Sequence, residues 1–255
     1  MAAAARIVLS KAEVADLVGK GTERAVAALL RFRGLIPTFE GAKYNEGKAV
    51  DSGECDLILE DDDNVVFVEC KGKPLTRATM AAEPGAALLD YAGGVIASQV
   101  QALQHHRLLQ DNGEIQFDDG RRLQLRERRV TRLSVTLLDH GSLQDRFLFV
   151  NLVEPLLRSE VVFDPEHPNR KRYREVNEEL DRHRREMKSA ERRSARVWGE
   201  ALGAASLSFG QLATLLVEAN SLASLVERLR KPATFATMNP LLEYHYMRTQ
   251  GLLKT

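Results

Sequence analysis

A mixed α/β fold, a sheet flanked by helices with a helical C-terminal extension, is what the 255-residue sequence predicts. Three observations carry it. Two short β-rich runs, CDLIL at residues 55–59 and VVFVEC at 65–70, meet at an acidic turn, which is the pattern of a β-hairpin. Helix-like and strand-like stretches then alternate as far as about residue 165. Beyond Pro168 the periodicity becomes helical throughout. The expected organisation is a body over residues 1–165 and an extension over 166–255.

The elements follow in order. TERAVAALLRF (22–32) reads as an amphipathic helix, capped by Thr22 and stopped by Gly34, and a strand is expected at 35–39. The hairpin comes next, turning through Glu60, Asp61, Asp62, Asp63 and Asn64. Residues 88–110 look helical and end before Asp111-Asn112-Gly113; residues 114–125 form a second hairpin signature turning at Asp118-Asp119-Gly120. VTRLSVTLL (130–138) is a further strand, with another expected at 147–153. Tyr173, Val176, Leu180, His183, Met187, Ala190, Ser194 and Val197 recur by threes and fours in an Arg- and Glu-rich segment, which predicts one long helix with a narrow apolar stripe. Two helices begin near Ser208 and Ser221, ahead of Pro232 and a tail containing LLEYHYM.

Composition bounds the function more than it identifies it. Hydrophobic residues make up 44% and charged residues 28% of the chain, ordinary values for a globular protein. No run approaches the roughly 18–20 apolar residues of a membrane span. The opening MAAAARIVLSKAEVADL meets charge too soon for a secretory signal, so a cytoplasmic protein without a membrane partner is expected. Cys55 and Cys70 are too few for a disulfide scaffold and lack zinc-site spacing; both read as core residues. The 36 basic and 36 acidic residues balance, so total charge neither points to nucleic acid nor excludes it.

The chemistry lies in GECDLILEDDDNVVFVECKGK, residues 53–73. The chain has three Glu-x-Lys triplets, at 46–48, 69–71 and 186–188, and only Glu69-Cys70-Lys71 ends an apolar strand. Alternate side chains of a strand share a face, so Glu69 and Lys71 project together while Cys70 points into the opposite layer. Asp56 lies on the preceding strand of the same hairpin and comes beside Glu69 in the appropriate register, where Glu54 can join it. Two carboxylates about 4 Å apart repel by roughly 4 kcal/mol at an effective dielectric near 20. A hard divalent cation, Mg²⁺ or Mn²⁺, resolves that conflict and suits phosphate chemistry. Lys71 then stands ready to position a water and to offset developing charge.

This segment resembles the PD-(D/E)XK nuclease superfamily, in which an acid on one strand is followed across a hairpin by (D/E)-x-K at the end of the next. Asp56 matches the first acid, and Glu69 and Lys71 match the pair; Cys55 stands where the superfamily's name has proline, making Glu54-Cys55-Asp56 similar to a Glu-x-Asp variant. The resemblance spans residues 20–140 and implies a restriction-endonuclease-like core. It also implies a Mg²⁺- or Mn²⁺-dependent nuclease acting on nucleic acid, most naturally DNA, leaving 5′-phosphate and 3′-hydroxyl ends. Asp56, Glu69 and the carbonyl of Cys70 would hold the metal, and Lys71 would position water. Glu23, on the first helix, would assist; Gln101, on the helix after the Glu-x-Lys strand, would support the site, with Gln99 and Gln104 as rivals and His105 where an aromatic residue sometimes stands.

Other features have plainer readings. His105 and His106 read as exposed helix residues, the acidic turn as a solvated loop without the glycine and distal glutamate of a calcium site, and Arg170, Lys171, Arg172 and Arg174 as one side of a salt-bridged face. Trp198 reads as a core anchor and Met187 as packing. Two functional alternatives stand beside the nuclease: a non-catalytic nucleic-acid-binding or scaffold protein of the same fold, and an interaction protein that uses the helix at 173–197 to dock onto its own core, a second copy or another partner.

Overall fold

The computed structural model of the chain describes residues 11–45, 52–145, 159–191, 203–230 and 240–251. The first helix, α1 (Lys11–Phe32), begins a full eleven residues before Thr22. Thr22 is therefore no cap; its buried hydroxyl donates to the Val18 carbonyl one turn back, at 2.8 Å. The stop at Gly34 is as expected, with φ +78°. Leu35 N–H donates to Leu30 and Gly34 N–H to Arg31, the paired bonds of a Schellman end, and Leu35 packs in the same apolar cluster as Leu30. Residues 35–38 are thus spent on the turn, and the first strand, β1 (Phe39–Asn45), lies further along than the sequence predicts.

The hairpin forms as read. β2 (Ser52–Glu60) and β3 (Asn64–Lys71) are antiparallel, and the Asp61 carboxylate closes their turn by accepting from the backbone of Asp63 and Asn64 at 3.0 and 2.7 Å. A short helix α2 (Arg77–Met80) follows, then a continuous helical run of α3 (Pro84–Tyr91), one π-helical turn (Ala92–Ile96) and α4 (Ala97–Asn112), ended by Gly113 at φ +73°. The second hairpin pairs β4 (Glu114–Gln116) with β5 (Arg122–Gln124). β6 (Arg129–Thr136) then enters the main sheet parallel to β3.

The C-terminal part is not wholly helical. β7 (Ala204–Ser208) adds a fifth strand, parallel to β6, giving the order β1-β2-β3-β6-β7. The sequence reading missed it because AASLS is short, small and buried at every position, so it shows no alternation. The long helix α5 (Arg170–Glu191) is present, as are α6 (Phe209–Leu216), α7 (Leu222–Arg230) and α8 (Pro240–Thr249). Ser208 starts α6 with a reciprocal capping box to Gln211. The strand expected at 147–153, the end of the stripe at Ser194 and Val197, and Trp198 lie outside the described residues.

Two layers of helices cover the sheet. On one face, α1, α6 and α7 pack over Leu57, Leu59, Val66, Val68, Cys70 and Leu133. On the other, α4 and the β4–β5 hairpin cover Ile58, Val65 and Phe67. The stripe of α5, namely Tyr173, Val176, Leu180 and His183, is buried, the apolar three in one cluster with the π-helical turn and α4. This part of α5 docks onto its own chain and leaves no free seam for a coiled coil. Among the described residues, the expected boundary at residue 165 therefore separates no second core: β7, α6 and α7 complete the first. No described helix is long and apolar enough to cross a membrane.

Candidate active site

The site is built on a fork in the sheet. β2 and β3 pair from Glu60↔Val65 to Leu57↔Val68; beyond that, β2 continues against β1 and β3 continues against β6 as far as Lys71↔Thr136. Asp56 and Glu69 are the next residues along the two strands. Asp56 fills the mouth of the fork, where its carboxylate accepts from the Cys70 N–H at 2.7 Å.

A break in alternation sets this up. Leu57 and Leu59 face the α1 side, yet Cys55 and Ile58, three apart, share the α4 side. The partner strand breaks at the same level: Phe39 and Ala42 share the α4 side, and Gly41 between them has φ +55°. Glu40↔Leu57 and Ala42↔Cys55 are register partners, so Gly41 lies opposite Asp56. A left-handed residue that only glycine adopts at low cost thus reverses both strands beside the acid.

Backbone direction decides what else faces the fork. Leu137 N–H donates to the Lys71 carbonyl at 3.0 Å, so Lys71 directs its backbone groups to the β6 side. Neighbouring residues of a strand point their N–H and C=O groups to opposite sides, so those of Cys70 face β2, as its bond to Asp56 confirms. The Cys70 carbonyl is therefore aimed into the gap where β2 has departed.

Glu69 and Lys71 rise together on the α4 side. The Glu69 side chain is 1% exposed; its Oε1 meets His105 Nε2 at 3.1 Å, while its Oε2 is buried without a hydrogen-bond partner. The Lys71 ammonium donates to Gln101 Oε1. Of the three glutamines, then, Gln101 reaches the lysine, whereas Gln99 bonds Ser134 Oγ and the Ala205 carbonyl at 2.8 and 2.9 Å. Burial and, next, the Glu69 charge push Asp56 up to about 7, against the lowering pull of the Cys70 amide and Lys71.

Glu23 reaches the same field from α1. Its carboxyl is raised first by partial burial, then by Glu54 and Glu69, with Lys71 and Lys20 drawing it back. The close approach of α1 depends on Gly72, where a Cβ would stand 2.7 Å from Val18 Cγ1 and 3.0 Å from the Val18 carbonyl carbon. Glu54 lies at the rim, paired with Lys43 at 3.5 Å. The two thiols are pushed well above their ordinary range, by burial first and then by the surrounding carboxylates, so neither serves as a thiolate.

The structure thus gathers Asp56, Glu69, Lys71, Gln101 and Glu23. It corrects the reading of His105 and His106: both are buried, at 2% and 6% exposure, because α4 lies between the sheet and α5 and has almost no solvent side. Arg132 donates to His106 Nδ1 at 2.9 Å. Tyr44, whose hydroxyl meets His105 Nδ1 at 2.6 Å, was missed; no short motif marks it, since the contact joins residues 61 apart. The salt-bridged face of α5 is present in part: Arg172 reaches Asp90, Arg182 Glu179, and Arg184 Asp181.

Among the described residues, no three His, Cys, Asp or Glu side chains gather as a metal cage. The donors on offer are two carboxylates and one main-chain carbonyl, hard oxygens that leave positions open for water or phosphate, a set that fits Mg²⁺ or Mn²⁺. The unpartnered Glu69 oxygen and the raised Asp56 both mark a place short of positive charge. Comparison of the chain with protein-family models, with curated proteins and with solved structures finds no match.

Proposed function

We propose that the protein is a Mg²⁺- or Mn²⁺-dependent nuclease of restriction-endonuclease-like fold, hydrolysing phosphodiester bonds in nucleic acid, with DNA as the favoured substrate. The observation that carries this reading is the fork: one buried carboxylate with an unpartnered oxygen, a second carboxylate raised to about 7, and a carbonyl aimed into the gap meet where two strands part, beside a lysine. Structural ion clusters pair their charges. This one leaves acids in excess of base, which suits a cation and a phosphate as the missing partners.

Asp56, Glu69 and the Cys70 carbonyl would hold the ion, whose charge would oppose that of the scissile phosphate. Lys71, steadied by Gln101, positions the attacking water and offsets charge as it develops on the phosphoryl oxygens. Glu23, kept close by Gly72, adds an acceptor for that water from the α1 side.

The test incubates the protein with linear, circular, single-stranded and branched DNA and with RNA, with Mg²⁺, Mn²⁺ or chelator, alongside Lys71→Ala. Cleavage is expected with metal only, and Lys71→Ala should lose about 10²–10⁴-fold in rate, the usual contribution of a positioned acid–base group. Cleavage that survives chelation or the substitution would come from another centre. Tight binding without cleavage of any substrate would favour the non-catalytic alternative.

A further inference from the structure

From the geometry we infer that His105 and Tyr44 are positioning residues, which hold one oxygen of Glu69 so that the other faces the metal; this rests on the nuclease reading above. A carboxylate that binds a cation is ionised and can only accept, so the contact at 3.1 Å requires His105 to donate Nε2–H to Glu69 Oε1. In the neutral ring Nδ1 is then an acceptor, and the Tyr44 hydroxyl, 2.6 Å away, donates to it. Tyr44 thereby fixes the tautomer, the tautomer fixes the bond to Oε1, and Oε2 remains unpartnered.

The arrangement is built, not incidental. His105 is boxed by Tyr44, edge-on with centroids 5.5 Å apart, and by Phe67 at 5.6 Å. Tyr44 reaches it by lying across Gly53, its register partner on β2, where a Cβ would stand 2.6 Å from the tyrosine oxygen and 2.8 Å from Cζ. A glycine inside a strand weakens it, and here its absent side chain is the space the ring occupies. Three elements, β1, β2 and α4, are thus shaped around one oxygen of one carboxylate.

The experiment measures Mg²⁺ dependence of cleavage and Mn²⁺ affinity by calorimetry for the parent, His105→Phe, His105→Gln, Tyr44→Phe and Gly53→Ala, with thermal stability recorded for each. His105→Phe should weaken Mn²⁺ binding and raise the half-saturating Mg²⁺ concentration by about 10–100-fold, the usual cost of losing a group that orients a metal ligand. KM for nucleic acid should stay put. Tyr44→Phe and Gly53→Ala should move the metal midpoint the same way by less, and His105→Gln, whose amide also donates, should recover part of the loss. If the variants lose thermal stability yet keep the parent's metal midpoints, the trio is packing only and this inference is overturned while the nuclease reading stands. A parent that neither binds Mn²⁺ nor cleaves overturns both.

Discussion

Asp56 sets the demands of folding against those of the site. A carboxylate raised from 3.8 to about 7 binds a proton more tightly folded than unfolded, so ionising it opposes folding. The sign follows: below about pH 4 both states hold the proton and the penalty is absent; it grows as pH rises to about 7 and is constant above. The shift is worth up to about 4 kcal/mol, and partial exposure reduces this to roughly 1–3 kcal/mol. Asp56→Asn, which can still accept from Cys70, should therefore melt about 2–12 °C above the parent at pH 8 in chelator, and the gain should fade as pH drops toward 4. A variant no more stable than its parent at pH 8 would mean that the acid sits without strain. Legibility at this scale was uneven. Asp56, Glu69 and Lys71 could be read because strand alternation and a hairpin are local rules. Tyr44 and His105 could not, since which helix face meets which strand is decided by packing across the whole layer.

At the level of elements, the hairpin β2–β3 was visible from its turn and apolar runs, yet its functional feature is the place where it stops being regular. The coupled break at Gly41 and Asp56 frees the acid from the ladder without ending either strand. An alanine at Gly41 must hold a left-handed conformation that costs about 1–2 kcal/mol, and its Cβ would sit 3.4 Å from Glu54 Oε1. Gly41→Ala should lower stability by about that amount. Because the kink aims Asp56 at Cys70, it should also speed hydrogen exchange at the Cys70 amide relative to amides of β3 that face β6, such as Phe67. Uniform loss of protection along β3 would show that Gly41 supports the sheet but not the fork. The sequence offered no sign of this break, as glycine in a strand is ambiguous between bulge, kink and close approach. The early start of α1 is hard to read for a related reason: Gly19 and Gly21, residues of low helix propensity, sit inside the helix with nothing within 4 Å of a Cβ.

For the molecule as a whole, the sequence suggested a catalytic body with a helical appendage, and the sheet joins them. Leu207 of β7, Leu212, Leu215 and Leu216 of α6, and Leu225, Val226 and Leu229 of α7 are buried with Leu57, Val66, Val68 and Leu133. Arg230, at the end of α7, donates to the Val130 carbonyl on β6 at 3.1 Å. Each buried leucine contributes about 2–5 kcal/mol, while a domain's net stability is only roughly 5–15 kcal/mol, so the body cannot spare this set. A chain ending at residue 165 should show no cooperative thermal transition and should bind hydrophobic dye, whereas the parent melts cooperatively. Cys70 lies in that same cluster, and its N–H and carbonyl face the fork. The C-terminal helices are therefore the floor under the Glu69-Cys70-Lys71 strand, and a truncated chain that folded and kept Mn²⁺ affinity would mean that the fork stands without them.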